Sequence, residues 1–123
     1  MSVIRGYRDL IAWQKSMDLA DGVLDLADML QRPQTFGLVD QMRRAAVSIP
    51  SNVAEGQARH ATGKFIQFIS HAEGSAAELD TQIILSVELG FCAKADAIPA
   101  YELIDEIRRM LNALRRKLAG RSG

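Results

Sequence analysis

Apolar side chains recur at spacings of three and four along most of this chain, and no stretch alternates as a strand would. That period puts them on one face of an α-helix and commits the chain to packing helix against helix. Four segments carry the pattern. The first, residues 9–31, has Leu10, Trp13, Met17, Ala20, Leu24 and Ala27 on one stripe. Ala12, Leu19, Val23, Leu26 and Leu30 form a second stripe beside it. Together they cover roughly half the helix circumference, more than the ~100° that a helix in a monomeric bundle needs. Asp18, Asp21, Asp25 and Asp28 lie opposite and read as a solvated face, with pairing to arginines of another subunit as the alternative. Asp9 is the expected N-cap, and the Arg32–Pro33 step the stop.

The second segment, residues 36–58, carries Leu38, Met42, Ala45, Ile49 and Val53. Pro50 falls inside it; it lacks a donor and crowds the preceding turn, so a kink at Ile49–Pro50 is expected. Ser48, Ser51 and Asn52 are placed to satisfy the freed carbonyls. Asn52 and Glu55 are expected to tie this helix to its neighbours. The third segment, residues 62–90, opens at Thr62 as N-cap and carries Phe65, Ile69, Ala72, Ala76, Leu79, Ile83 and Val87. Its residues from Ile83 to Leu89 are apolar on nearly all sides, which predicts burial on several faces. The fourth, residues 97–119, is opened by Asp96 and Pro99 and carries Ile104, Ile107, Leu111, Leu114 and Leu118. Short connections make successive helices antiparallel. The expected fold is all-α: one domain over residues 1–123, an up-down-up-down four-helix bundle with its second helix kinked at Pro50.

Composition narrows the function. The 123 residues are 48% apolar and 24% charged, ordinary for a globular domain, with fifteen Lys and Arg against fifteen Asp and Glu. A pI near 6.7 excludes a globally basic nucleic-acid binder and leaves room for a local patch. A lone cysteine, Cys92, excludes an intramolecular disulfide and a cysteine-based zinc cluster. No apolar run reaches the ~18 residues of a membrane span, and the N-terminus has no signal-peptide core, so a soluble, cytoplasmic chain is expected.

Catalytic and metal-binding patterns are thin. His71, Ser75 and Glu78 share a helix face, but side chains on one straight helix point outward in parallel and do not converge on a substrate atom. No Glu has a His three residues on, as a di-iron bundle requires, and two histidines without H-E-x-x-H leave no standard zinc site. Gly63–Lys64 lacks the upstream glycine of a phosphate-binding loop. Cys92 reads as a small hydrophobe. No enzyme activity, cofactor or metal is expected.

Beyond Glu106 the chain carries Arg108, Arg109, Arg115, Arg116, Lys117 and Arg121 without one acid. Cations near a helix C-terminus compensate the macrodipole, which accounts for Arg115, Arg116 and Lys117. Arg108 and Arg109 lie about two turns earlier, so this set is the candidate phosphate-contacting surface. Arg43 and Arg44 are expected to pair with Asp40 or Glu55.

The second segment holds Gln41-Met42-Arg43-Arg44-Ala45-Ala46-Val47-Ser48-Ile49-Pro50-Ser51-Asn52-Val53-Ala54-Glu55-Gly56. Three further blocks accompany it: Asp9-Leu10 with Trp13-Gln14, Lys64-Phe65 with Phe68, and Gly74-Ser75 with Glu78-Leu79 and Gln82. Over residues 7–91 this set resembles the bacterial 23S rRNA-intervening-sequence proteins. The resemblance implies an up-down four-helix bundle assembled as a ring-like homopentamer, with Arg43, Arg44, Ser48, Pro50, Ser51, Asn52, Glu55 and Gly56 as its signature. It also implies kinship with the accessory protein of diversity-generating retroelements, a basic pentamer that binds nucleic acid and a reverse transcriptase. It supplies no catalytic residue. Physically the signature reads as packing: alanines for close approach, a kinking proline and capping polar groups.

The leading expectation is therefore a non-enzymatic oligomer acting as a binding or scaffold module, for an unidentified protein partner. Weak, non-specific nucleic-acid contact through the fourth helix comes second. An enzyme with a site between subunits is third.

Overall fold

The computed structural model describes residues 5–30 and 32–122, and among them there is no strand. Four helices form: α1 (Ile11–Met29), α2 (Phe36–Ala58), α3 (Thr62–Glu88) and α4 (Lys94–Ser122), with single 3-10 turns at Tyr7–Asp9 and Pro33–Thr35. Each helix packs on its chain neighbours and α1 closes on α4, while the diagonal pairs stay apart. Glu73 meets Arg115, and Asp80, seven residues on, meets Arg108, seven residues back, so α3 and α4 run antiparallel. This is the expected four-helix bundle. α2 passes through Pro50 as one continuous element.

The core is built from the periodic stripes. On α1 the second stripe, Ala12, Leu19, Val23, Leu26 and Leu30, is entirely buried. The first stripe divides: Leu10, Ala20 and Ala27 are buried, Trp13 and Leu24 are half-buried, and Met17 is 39% exposed. Met42, Ile49 and Val53 on α2 meet Ile69, Leu79 and Ile83 on α3 and Ile104, Ile107 and Leu111 on α4 in one cluster. Beyond Ile83, α3 departs from expectation. Ile84 and Leu85 are 41% exposed and Leu89 59%, since within one chain only one face of that segment has a neighbour.

Helix ends depart more. Asp9 is not the N-cap of α1: it closes the preceding 3-10 turn and accepts the Arg5 N–H at 2.8 Å, and Leu10, in extended backbone, precedes the helix. α1 ends at Met29, and the expected end at Gln31 lies outside the described residues. Buried Thr35 holds the α1–α2 corner, its hydroxyl donating to the Leu30 carbonyl and accepting the Arg32 N–H at 3.1 Å. Thr62 is the first residue of α3 and makes no capping bond; extended Ala61 precedes it. α4 begins at Lys94, three residues before the expected 97, because the Asp96 N–H already reaches Ala93 O at 3.0 Å. Pro99 consequently lies inside α4, which runs on to Ser122. Gly90 ends the third helical segment as expected: at φ +77° it turns the chain so that the Phe91 and Cys92 N–H groups both reach Ser86 O, at 2.9 and 3.1 Å.

α2 lies close against α3 at Gly56. A Cβ built there would stand 2.7 Å from Phe68 Cβ and 3.1 Å from Phe65 Cδ1. Phe68 Cβ is fixed to its own backbone, so relief requires the helices to separate. Gly56→Ala should therefore destabilise the protein by about 1–2 kcal/mol, since the 2.7 Å contact puts overpacking at ~2–3 kcal/mol, above the ~1 kcal/mol gained in helix propensity. Urea denaturation checks the sign; an unchanged or raised midpoint would contradict the close approach.

Candidate functional site

Two signature residues of α2, Ser48 and Asn52, meet Ser75 of α3 in one hydrogen-bonded contact. Ser48 Oγ lies 2.8 Å from Ser75 Oγ of α3, and Asn52 Nδ2 donates to Ser48 O at 2.8 Å and to Ser48 Oγ at 2.9 Å. Receiving the amide leaves the Ser48 proton free for Ser75. The helices are thus joined by Ser48, with Asn52 holding its hydroxyl in place from the same helix. Asn52 and Glu55 were expected to reach neighbouring helices. Asn52 instead bonds Ser48 of its own helix, and Glu55 pairs along its own helix with Arg59 at 3.1 Å. Arg44 pairs with Asp40 at 3.1 Å, as expected. Arg43 instead reaches Asp28 of α1 at 2.9 Å, which gives one member of the aspartate face a partner within the chain.

The three side chains of the serine–histidine face each meet a different neighbour. Ser75 is engaged by Ser48, Glu78 accepts from Gln82 Nε2 at 3.1 Å, and exposed His71 stands edge-on to the Phe68 ring. Gln82 Oε1 is buried without a partner. Among the described residues no three His, Cys, Asp or Glu side chains gather as a metal site requires, and no helix is long and apolar enough to cross a membrane. Burial, reinforced by Asp96, raises the Cys92 thiol above its ordinary 9.0 and keeps it a protonated hydrophobe. Burial and then Asp80 raise the Tyr101 hydroxyl in the same way.

The basic residues of α4 divide in two. Arg108, Arg109 and Arg115 line one open groove of about 350 Å³ with Asn112 and Glu73. Each has a carboxylate beside it: Asp80 at 3.9 Å, Asp105 at 2.9 Å and Glu73 at 2.6 Å respectively. Arg115 also donates to Asn112 Oδ1 at 2.9 Å. Arg116 and Lys117 are exposed near the helix end.

A second groove, about 360 Å³, separates α1 from α2 and is predominantly apolar. Trp13, Met17 and Leu24 face Val47, Pro50 and Ala54 across it, with exposed Ser51 on its edge. The Tyr7 ring packs edge-on against Trp13 at 5.4 Å and closes one end. The excess apolar stripe on α1 pointed to this face. Its α2 wall was not legible, because Val47, 47% exposed, lies off the core stripe.

Charge is sorted along the bundle. Dividing each helix at its midpoint leaves ten Lys and Arg against four Asp and Glu in the half holding the α1 N-terminus and the α4 C-terminus. The other half has four against eleven, and Arg108 sits on the divide.

Residues 8–113 match the model of the 23S rRNA-intervening sequence protein family. The chain belongs to that family. Among solved structures it is similar to a protein of unknown function from the S23 ribosomal protein family of Bacteroides thetaiotaomicron, with a TM-score of 0.80 and 21% identity over 85% of this chain and 98% of that one. At that identity the likeness speaks for the fold alone. No curated protein matches the chain. The Ser48–Asn52–Ser75 contact lies within the span matched by the family model, and so do both grooves apart from Tyr7 and Arg115.

If the signature contact is structural, Asn52→Ala and Ser75→Ala should each cost about 1 kcal/mol, and the double variant less than their sum because both act on Ser48. Chemical denaturation of the four proteins of this cycle measures the coupling. Unchanged stability in both single variants would remove the structural role.

Proposed function

We propose that this member of the 23S rRNA-intervening sequence protein family is a non-enzymatic, self-associating helical module. Further copies cover its α1–α2 face in a ring-like homopentamer, and the ring serves as a scaffold for a protein partner. The observation that carries the reading is the α1–α2 groove. It holds half-buried Trp13 and Leu24 and two exposed apolar residues, Met17 at 39% and Val47 at 47%, in one concave strip. A groove of this kind on one subunit, filled by a different surface of the next, is a heterologous contact, and such contacts close into rings when the rotation allows. Exposed Ile84 and Leu85 supply apolar surface away from the groove, as a heterologous contact requires. Light scattering at micromolar concentration should give a mass near five times the 13.5 kDa of one chain. Met17→Glu/Val47→Glu should yield folded monomers, since each buried charge in such an interface costs several kcal/mol. A wild-type protein that is monomeric under these conditions would refute the reading.

A second reading, nucleic-acid contact through α4, is favoured by the gathering of Arg108, Arg109 and Arg115 along one groove. Their carboxylate partners reduce the charge available for phosphate, so this binding should be weak and non-specific. RNA affinity should fall with salt by about 0.7 per phosphate contact on a log-log plot, and Arg108→Glu/Arg115→Glu should abolish it. Binding that persists in that variant at about 200 mM salt would place the contact elsewhere.

A further inference from the structure

The basic end of the bundle contains a half-open cavity of about 580 Å³, lined by the end of α2, the first turn of α3 and the last turns of α4. Its floor is apolar: Leu10, Phe65, Leu114 and Leu118. Its polar lining comprises Gln57, His60 and Thr62 with two cations, Lys117 and Arg121. Lys117 and Arg121 stand four residues apart on the α4 face that also supplies Leu114 and Leu118, and no Asp or Glu lines the cavity. Arg108, Arg109 and Arg115 each have a carboxylate beside them, whereas Lys117 and Arg121 have none among the described residues. Thr62, in the wall, opens α3 without a side-chain cap, so first-turn amides add positive potential on the same side. Cations at a helix end compensate the macrodipole wherever they point. These two also line a cavity with four large apolar side chains and no carboxylate.

We propose that this cavity binds a small organic anion, with its apolar body on Leu10, Phe65, Leu114 and Leu118 and its acid group between Lys117 and Arg121. The volume suits such a ligand, since small-molecule sites occupy roughly 300–1,000 Å³ and are mostly apolar with a few placed polar groups. An inorganic anion would leave the floor unused. A cation would meet Lys117 and Arg121 without a compensating carboxylate. The site is independent of the self-association reading, because it shares no lining residue with the α1–α2 groove.

The probes are sodium decanoate and decylammonium chloride, matched in chain and opposite in head-group charge, each added below its micelle concentration. NMR chemical shifts of the full-length protein report the site. Decanoate should give saturable shifts at Leu10, Phe65, Leu114 and Leu118, and decylammonium should bind at least tenfold more weakly. Lys117→Glu/Arg121→Glu should weaken decanoate about tenfold, and Lys117→Gln/Arg121→Gln should fall between it and wild type, with circular dichroism verifying the fold. Shifts that fail to saturate, that map to Trp13 and Met17, or that are equal for the two head groups would overturn the proposal.

Discussion

The approach of α2 to α3 at Gly56 is the constraint on which much of the remainder rests. With hydrogen in place of a methyl group, the α2 backbone lies against Phe65 and Phe68. Two turns earlier the same proximity brings Ser48 within 2.8 Å of Ser75. A hydrogen bond between two short side chains on different helices is feasible only where the backbones are close. The alanines around it, Ala45 and Ala46 on α2 and Ala72 and Ala76 on α3, are buried and give the low-volume surface that permits it. Glycine weakens a helix interior by ~1 kcal/mol, so its presence at residue 56 is intelligible only through this contact.

The core was legible because burial follows period. Ile69, Ala72, Ala76, Leu79 and Ile83 were read at spacings of three and four, and all are buried. The ends were less legible for a local reason. Capping is decided by the backbone angles of one or two residues, and several residues compete to supply them. Leu10 and Ala61 take the extended conformations that precede α1 and α3, displacing Asp9 and Thr62 from the roles their side chains suit. At Gly90 the positive φ left few competitors, and the stop was read correctly.

Side-chain pairing divides along a similar line. The Arg44–Asp40 contact is set by helical spacing alone and was legible. Arg43–Asp28 and Arg115–Glu73 join different helices, and their partners depend on the vertical register of α1 on α2 and of α3 on α4, which hydrophobic period leaves open. The same register decides the grooves. Nothing in the local pattern around Val47 or Lys117 says which side chain of another helix stands opposite. Tertiary placement is therefore the information that separates the helices from the candidate sites.

Zero net charge conceals the sorting that antiparallel packing creates. The acidic run of α1 and the basic run of α4 sit near the C-termini of oppositely directed helices, so the fold sends them to opposite ends. In the proposed ring, rotational symmetry presents every copy in the same sense, and the basic ends gather on one face and the acidic ends on the other. Like charges on neighbouring copies then repel, an effect damped beyond the ~8 Å Debye length at physiological salt. Apolar contact along the α1–α2 flank acts at shorter range and does not weaken with salt. Most of its lining, including Tyr7, Trp13, Met17, Pro50 and Ala54, stands in the basic half, so this attraction acts where the like-charged basic ends gather and lets lateral association proceed while each face keeps its own sign for what it meets.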